Sequence, residues 1–259
     1  MMDAVRQGLS LCGSAVIPAL FPYMVMTHFL LNIGVMDGLR PRAQVFLLGA
    51  VGGYPIGAQC AADLFRSGRM DSREASVLAA VCNNASPAFC IFYAGQTLFH
   101  STRAGVLLYA AQLLASAVLQ GFFPAVSVPG LRRKEEKEPL SILFVESIRT
   151  SAMTTVVLCG FVVFFRVVVF FLQKCLPFLP PTLFGVMELT WGLSVLDGSR
   201  RISLVAAGFL VGWGGFCTAA QTAAVLSRAG VSPRGYLGKK WLAACLTALF
   251  CGLGCEWAL

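Results

Sequence analysis

A carboxylate within an apolar stretch is the most informative charge of this sequence. Glu188 lies in the stretch 182–196, which we predict to be a short helix. A buried charge needs a partner, and Arg166 is the natural one, because it precedes Pro177 by eleven residues and Glu188 follows Pro177 by eleven. If the flanking helices are antiparallel, the two side chains lie at a similar depth. The pair is then either a substrate- or proton-coupling site or a structural ion pair.

Two glutamines occupy equivalent positions in a long internal repeat. Gln59 belongs to the stretch GAVGGYPIGAQCAADLFRSG at 49–68, and Gln221 belongs to GWGGFCTAAQTAAVLSRAG at 212–230. A shift of 162 positions aligns the two glutamines together with the glycine pair before each. Amides beside the positive end of a helix suit a polar or anionic small molecule with several donors and acceptors, such as a nucleoside. The alternative is that each glutamine caps or cross-links the two arms of its own stretch.

A third polar group lies in the apolar run 75–98. The sequence CNNASP at 82–87 places Asn83, Asn84 and Ser86 directly before a proline. Polar side chains inside an apolar helix are costly unless they find partners, and a proline frees one backbone carbonyl. We therefore favour a discontinuous helix whose polar groups face a site. The alternative is hydrogen bonding between neighbouring helices.

Enzyme motifs are absent from the sequence. It lacks HExxH, GxSxG, Walker A and GxGxxG patterns, and it has only two histidines. The ten cysteines are scattered, mostly through apolar runs, without a CxxC pair or a Cys/His cluster, which is typical of small buried side chains. We expect no catalytic residue, no metal site, no cofactor and hence no enzyme.

The composition is that of a polytopic helical membrane protein. The 259 residues are 57% hydrophobic and 12% charged, and the mean hydropathy is +0.76, whereas soluble domains carry about 25% charged residues. The net charge of +8 is typical of arginines and lysines in cytoplasmic loops. No basic stripe is interleaved with exposed aromatic residues, so we expect the lipid bilayer and no nucleic acid as a partner.

The repeat predicts the fold. We expect an all-α polytopic membrane protein with about six transmembrane helices, two glycine-rich re-entrant helical hairpins and an internal two-fold repeat. Residues 1–126 form the first membrane repeat with its hairpin at 43–66, and residues 143–259 form the second with its hairpin at 202–228. Between them, 127–142 is predicted to be a charged cytoplasmic linker.

The hairpins are predicted from length and charge. Each arm of the first hairpin has about ten to twelve residues and spans only roughly 15–18 Å as a helix, against a hydrocarbon core of about 30 Å. Arginines and lysines flank both ends of both elements, as expected if each enters and leaves on the same face. The alternative is a kinked span, and the face from which the second hairpin enters stays open.

Four motifs resemble one family of bacterial membrane proteins. GGYPIGAQ at 52–59 with CNNASP at 82–87, and MELTWG at 187–192 with GGFCTAAQ at 214–221, look like the YlbJ-like sporulation integral membrane proteins. That family belongs to the nucleoside-recognition, or Gate, domain group, which also contains the spore maturation proteins and is related to concentrative nucleoside transporters. The resemblance covers roughly residues 8–240. It implies a multi-pass protein of the bacterial inner (cell) membrane in a spore former.

Two hypotheses about function follow. The first is a carrier of a small polar, nucleoside-like solute bound between the two hairpins. The second is a non-transporting membrane scaffold or sensor that is needed for spore formation. Its partners would be further copies of the chain or other sporulation proteins. A carrier requires the polar residues to converge on one cavity, whereas a scaffold pairs them across separate helix contacts. The candidate substrate-binding residues are Gly53, Tyr54, Gln59, Asn83, Asn84, Ser86, Glu188, Thr190, Gly215 and Gln221.

Overall fold

The protein is helical throughout the part that the structure describes. The computed structural model describes residues 1–36, 38–123 and 138–258. These ranges contain helices and turns without a strand, which confirms the predicted all-α class. The predicted charged linker at 127–142 falls mostly outside the described residues.

Within the described ranges, turns and short irregular segments connect the helices, and three segments are π- or 3₁₀-helical instead of α-helical. The longest helix, α7, has 36 residues and therefore reaches roughly 54 Å. In chain order the elements are α1 (Met2–Leu11), a first π-helix (Cys12–Val16), α2 (Ile17–Asn32), α3 (Pro41–Gly52), α4 (Ile56–Arg66), α5 (Ser72–Val81), a second π-helix (Ala88–Leu98), α6 (Thr102–Phe122), α7 (Leu140–Cys175), a 3₁₀-helix (Pro181–Val186), α8 (Leu189–Ser194), α9 (Arg201–Trp213), α10 (Gly215–Arg228) and α11 (Tyr236–Ala258).

Four helical stretches among the described residues are long and apolar enough to cross a membrane. They are α6, α7, α11 and the α9–α10 stretch Arg201–Arg228. Two further apolar runs, 2–32 and 72–98, are each divided into shorter helical segments. The predicted number of about six crossings therefore depends on how these divided runs lie in the bilayer.

Prolines shape the first apolar run. Pro18 has no N–H for the regular helix, and the backbone just before it, Cys12–Val16, winds as a π-helix, which is the local change that such a site favours. Pro22 lies inside α2. Both α1 and α2 pack along α7, so this apolar run covers one side of that long helix.

The first glycine-rich element is a packed helical hairpin. Pro41 opens α3 at its first helical position, and the helix ends at Gly52. Gly53 has a φ of +76°, a conformation that glycine adopts freely, and the chain then turns back so that α3 and α4 pack together. A Cβ on Gly53 would lie 2.8 Å from the Cβ of Ser86. The tip of the hairpin therefore touches the segment 82–87, which separates α5 from the second π-helix.

The second glycine-rich element is interrupted, but its two helices diverge. Gly214 and Gly215 have φ values of +80° and +85° and separate α9 from α10. α9 packs against α11 and α6, whereas α10 packs against α4 and α7. The element predicted as a hairpin at 202–228 is thus not a packed pair like the first, because its helices find their apolar partners in different parts of the protein.

The last helix contacts several others and carries a buried lysine near its start. α11 packs against α9, α6 and α5. It starts at Tyr236, whose side chain is buried. Lys240, one turn further along the helix, is buried as well.

Candidate functional site

The tips of the two interrupted elements meet. Tyr54, in the turn between α3 and α4, donates its hydroxyl hydrogen to the carbonyl oxygen of Val211 at 2.5 Å. In an unbroken helix that carbonyl would accept from the N–H of residue 215, but the positive φ values of Gly214 and Gly215 end α9 first. The hydrogen bond exists because the second element is interrupted, and it joins the two halves of the sequence.

A buried lysine binds the backbone that a proline leaves unpaired. The carbonyl of Asn83 lies four residues before Pro87, which has no N–H to donate. The Nζ of Lys240 donates to this carbonyl oxygen at 2.8 Å and lies 5.1 Å from the centroid of the Tyr54 ring, within range of a cation–π interaction. Lys240 is 1% exposed. The hairpin tip, the interrupted segment 82–87 and α11 therefore meet at one cation.

Sequence reasoning missed Lys240 because it follows another lysine and precedes a long apolar run. Lys239 donates to the carbonyl of Gly235 at 3.2 Å and stays partly exposed. Lys240 instead lies one turn after Tyr236, which is also buried, so both side chains share the inner face of α11. That helical spacing is the signal that separates the two lysines.

Asn83 and Asn84 are buried and pair with different helices. Nδ2 of Asn83 donates to Oγ1 of Thr222 in α10 at 2.9 Å. Oδ1 of Asn84 accepts from Oγ of Ser116 in α6 at 2.9 Å. Ser86 uses its Oγ to accept a backbone N–H three residues ahead. These three predicted site residues tie the interrupted segment to its neighbours.

A glutamine in α6 supports the same segment. Gln112 is 1% exposed, accepts from the N–H of Ala85 at 3.0 Å and donates to the carbonyl of Ala85 at 2.7 Å. It satisfies both backbone groups of a residue that lies outside any helix. Gln112 is a polar residue in an apolar span, as Gln59 is, but only the structure identifies its partner.

Gln59 and Gln221 line one cavity. The cavity has a volume of about 500 Å³ and lies between α4, α7 and α10. Nε2 of Gln221 also donates to the Sγ of Cys217 at 3.4 Å. The full lining consists of Pro55, Gln59, Arg66, Glu146, Arg149, Thr150, Met153, Thr154, Val157, Leu158, Phe161, Gln221, Ala224, Val225 and Arg228.

The other predicted residues do not line this cavity. Gly215 lies against the main chain of Met187 and Leu189, and Thr190 lines a separate cavity with Arg166. Five residues form the buried contacts around the first hairpin tip and the segment 82–87, namely Gly53, Tyr54, Asn83, Asn84 and Ser86. Of the polar residues that the carrier hypothesis requires in one cavity, only the two glutamines line it, whereas the asparagines and Glu188 have partners elsewhere.

The predicted ion pair between Glu188 and Arg166 is not formed. The carboxylate oxygens of Glu188 accept the N–H groups of Thr190 at 2.8 Å and Trp191 at 2.7 Å, so Glu188 caps the start of α8. Arg166 donates to Oε1 of Gln7 at 3.4 Å and lies over the ring of Trp191. Among the described residues, no carboxylate oxygen lies within 4.0 Å of Arg166. The backbone N–H groups at the helix start already stabilise the carboxylate.

Removing the cap tests this role of Glu188. We expect Glu188→Ala to lower the free energy of unfolding by about 1–2 kcal/mol, because two N–H groups lose their acceptor. Glu188→Asp is expected to keep most of the stability, since aspartate is a favoured N-cap. The measurement is the melting temperature of the purified protein in detergent, followed by tryptophan fluorescence. Rescue of Glu188→Gln by Arg166→Gln, as for an ion pair, would contradict the capping role.

The long apolar helices and the buried polar contacts between them define a multi-pass membrane protein, which confirms the location predicted from the sequence. The chain is similar to the sporulation integral membrane protein YlbJ of Bacillus subtilis (strain 168). The two sequences are 24% identical over 309 aligned residues, which cover 96% of this chain and 76% of that protein. No protein-family model and no solved structure matches the chain.

Proposed function

We propose that the chain is a YlbJ-like member of the nucleoside-recognition, or Gate, domain group. In this proposal it acts in the bacterial cell membrane during spore formation. It carries a small polar, nucleoside-like solute without an enzymatic step. The similarity to YlbJ over nearly the whole chain supports the role in sporulation. The observation that carries the transport proposal is the single cavity lined by both Gln59 and Gln221.

A second pair of equivalent residues strengthens the argument from this cavity. The shift of 162 positions that aligns the glutamines also aligns Arg66 with Arg228, and both arginines line the same cavity. Two amides and two guanidinium groups thus come to it in equivalent pairs. Transporters that are built from repeats bind their solute at the interface between the repeats.

The helix packing supports a duplicated architecture. The same shift places α4 on most of α10 and places α5 on the first part of α11. α4 packs against α10, and α5 packs against α11, so equivalent helices of the two repeats are in contact. We therefore take the first interrupted element as re-entrant and the second, Arg201–Arg228, as one of about six crossings, together with α6, α7, α11 and the runs 2–32 and 72–98. The cavity lies where the two elements meet.

The cavity has the size and chemistry for a small polar solute. Its volume of about 500 Å³ falls within the roughly 300–1,000 Å³ of small-molecule sites. The two glutamine amides and the hydroxyls of Thr150 and Thr154 offer donors and acceptors, and Phe161 offers an aromatic face. An aromatic face packs well against a planar base, so the lining suits a nucleoside-like molecule.

A non-transporting membrane scaffold or sensor is the second candidate. It is favoured by the pairing of Asn83 with Thr222 and of Asn84 with Ser116, because a scaffold uses its polar groups to fix helices to one another. The two candidates differ in one respect that is open to measurement. A carrier binds its solute in the cavity, whereas a scaffold needs no solute there.

A thermal-shift screen of the purified protein against nucleosides distinguishes them. We expect at least one nucleoside to raise the melting temperature saturably, since a ligand at 100 times its Kd stabilises the folded state by about 2.7 kcal/mol. Gln59→Ala and Gln221→Ala are each expected to remove the shift. Gln96→Ala, which changes an exposed glutamine outside the cavity, is the matched control and is expected to keep it. An unchanged melting temperature across the panel, with the protein folded, would favour the scaffold.

A further inference from the structure

A second cavity lies further along α7 and shares no lining residue with the cavity of Gln59 and Gln221. It has a volume of about 310 Å³ and lies between α1, the second π-helix, α7 and α8. Its lining includes the guanidinium of Arg166 and five hydroxyl-bearing side chains. These are Ser10, Ser14, Tyr93, Thr190 and Ser194.

Arg166 is a charge within an apolar span. It lies nine residues before the end of α7 at Cys175, or about 14 Å along the helix axis. A charged residue inside a membrane helix is expensive and is found with a partner or at a functional site. Glu188, which the sequence predicts as that partner, uses both of its oxygens on the N–H groups of α8. The guanidinium therefore faces the cavity without a counter-ion among the described residues.

Two buried N–H donors beside this cavity lack an acceptor. They are Nε of Arg166 and Nε1 of Trp191. The two groups form one stacked unit, since the guanidinium carbon lies 4.4 Å from the centroid of the Trp191 ring. The guanidinium makes one further contact, a long hydrogen bond of 3.4 Å from Nη2 to Oε1 of Gln7. An unsatisfied buried donor is costly, so a molecule that completes this site supplies acceptors.

We propose that the Arg166 cavity binds an oxyanion, the carboxylate or phosphate group of a soluble small molecule or of a lipid headgroup. The edge of the guanidinium that carries Nε and Nη2 matches two oxygens of such a group. The indole N–H of Trp191 adds a third donor, and the hydroxyls of Ser10, Tyr93 and Thr190 complete the set, since those of Ser14 and Ser194 already donate to backbone carbonyls. The site stands apart from the carrier proposal, because neither glutamine of the first cavity contributes to it.

The test follows the melting temperature of the full chain, purified in detergent, in sodium phosphate and in sodium acetate, each against sodium chloride at equal ionic strength. A saturable rise with either anion is expected for the unchanged protein. Arg166→Gln is expected to raise the Kd about tenfold or more, because hydrogen bonds to charged groups are the strong ones. Arg103→Gln, which removes an exposed arginine outside both cavities, is expected to keep the response.

Two further arms keep the test decisive. Trp191→Phe keeps an aromatic ring beneath the guanidinium and removes the indole N–H together with the five-membered ring. It replaces Arg166→Gln if that variant does not fold, and we expect its Kd to rise about fivefold. Nanodiscs with and without phosphatidylglycerol provide the lipid arm. Stabilisation by that lipid alone assigns the site to a headgroup, and stabilisation by free anions assigns it to a soluble molecule. No response in any arm, or a response that both variants retain, overturns the proposal.

Discussion

Gly53→Ala is expected to lower the free energy of unfolding by about 3 kcal/mol. The glycine has a φ of +76°, where a Cβ strains the backbone. That Cβ would also lie 2.8 Å from the Cβ and 2.9 Å from the backbone nitrogen of Ser86. Ser86 belongs to the buried segment 82–87, which is held on several sides and cannot move away cheaply. The loss is measured as a lower melting temperature in detergent, followed by tryptophan fluorescence.

Gly68→Ala is the matched control for this prediction. Gly68 has a similar φ of +71°, but a Cβ there would meet nothing within 4 Å. It therefore carries only the backbone strain, which we expect to cost about 1 kcal/mol. Equal losses in the two variants would show that the contact between the hairpin tip and Ser86 contributes nothing to stability, against the packing described above.

Gln112→Leu is expected to cost about 3 kcal/mol, because it leaves the N–H and the carbonyl of Ala85 buried without partners. Leucine has nearly the same volume as glutamine, so the loss reports the hydrogen bonds rather than a cavity. The interrupted segment 82–87 is expected to loosen as well. Hydrogen exchange of the Ala85 amide measures that loosening directly, alongside the melting temperature.

A control substitution for Gln112 is available on the same helix. Gln120 is half-buried near the end of α6, and Gln120→Leu is expected to change the stability by no more than about 0.5 kcal/mol. Similar melting temperatures for Gln112→Leu and the unchanged protein would contradict the role given to Gln112. In that case Ala85 would obtain its hydrogen bonds elsewhere.

Local chemistry made the interruptions predictable. Paired glycines at 52–53 and 214–215 and a proline at 87 change the backbone at the residue itself, and each marks an interruption in the structure. The π-helix before Pro18 follows from the same reasoning. The sequence therefore located where the helices stop, which is the feature that brings the polar groups of this protein together.

The pairing of side chains was not predictable from the sequence in the same way. Lys240 binds the carbonyl of Asn83 across 157 positions of sequence, and no local pattern names such a partner. Glu188 was predicted to need an arginine, but the backbone at the start of α8 satisfies it. A lone charge in an apolar stretch predicts that a partner exists, and only the packing decides whether that partner is a side chain or a helix end.

The second interrupted element shows the same limit at the level of whole helices. Its glycines predict a turn, but the direction of α10 after the turn depends on what α4 and α7 offer as apolar surface. The repeat in sequence thus predicts equivalent breaks and equivalent cavity residues, while the arms of the two elements pack differently. α10 contacts α4, and Gln59 and Gln221 line a shared cavity while Gln221 also bonds to Cys217 of its own helix.

Equilibrium binding of a radiolabelled nucleoside tests the central claim most directly. The nucleoside is the one that gives the largest thermal shift, and the protein is the full chain in detergent, either unchanged or carrying Gln59→Ala with Gln221→Ala. We predict saturable binding to the unchanged protein and to Gln96→Ala, and a Kd raised about tenfold or more in the double variant, since two hydrogen bonds are lost. Equal affinity of the folded double variant, or no saturable binding of any nucleoside to the folded unchanged protein, would contradict a solute site between the two glycine-broken elements.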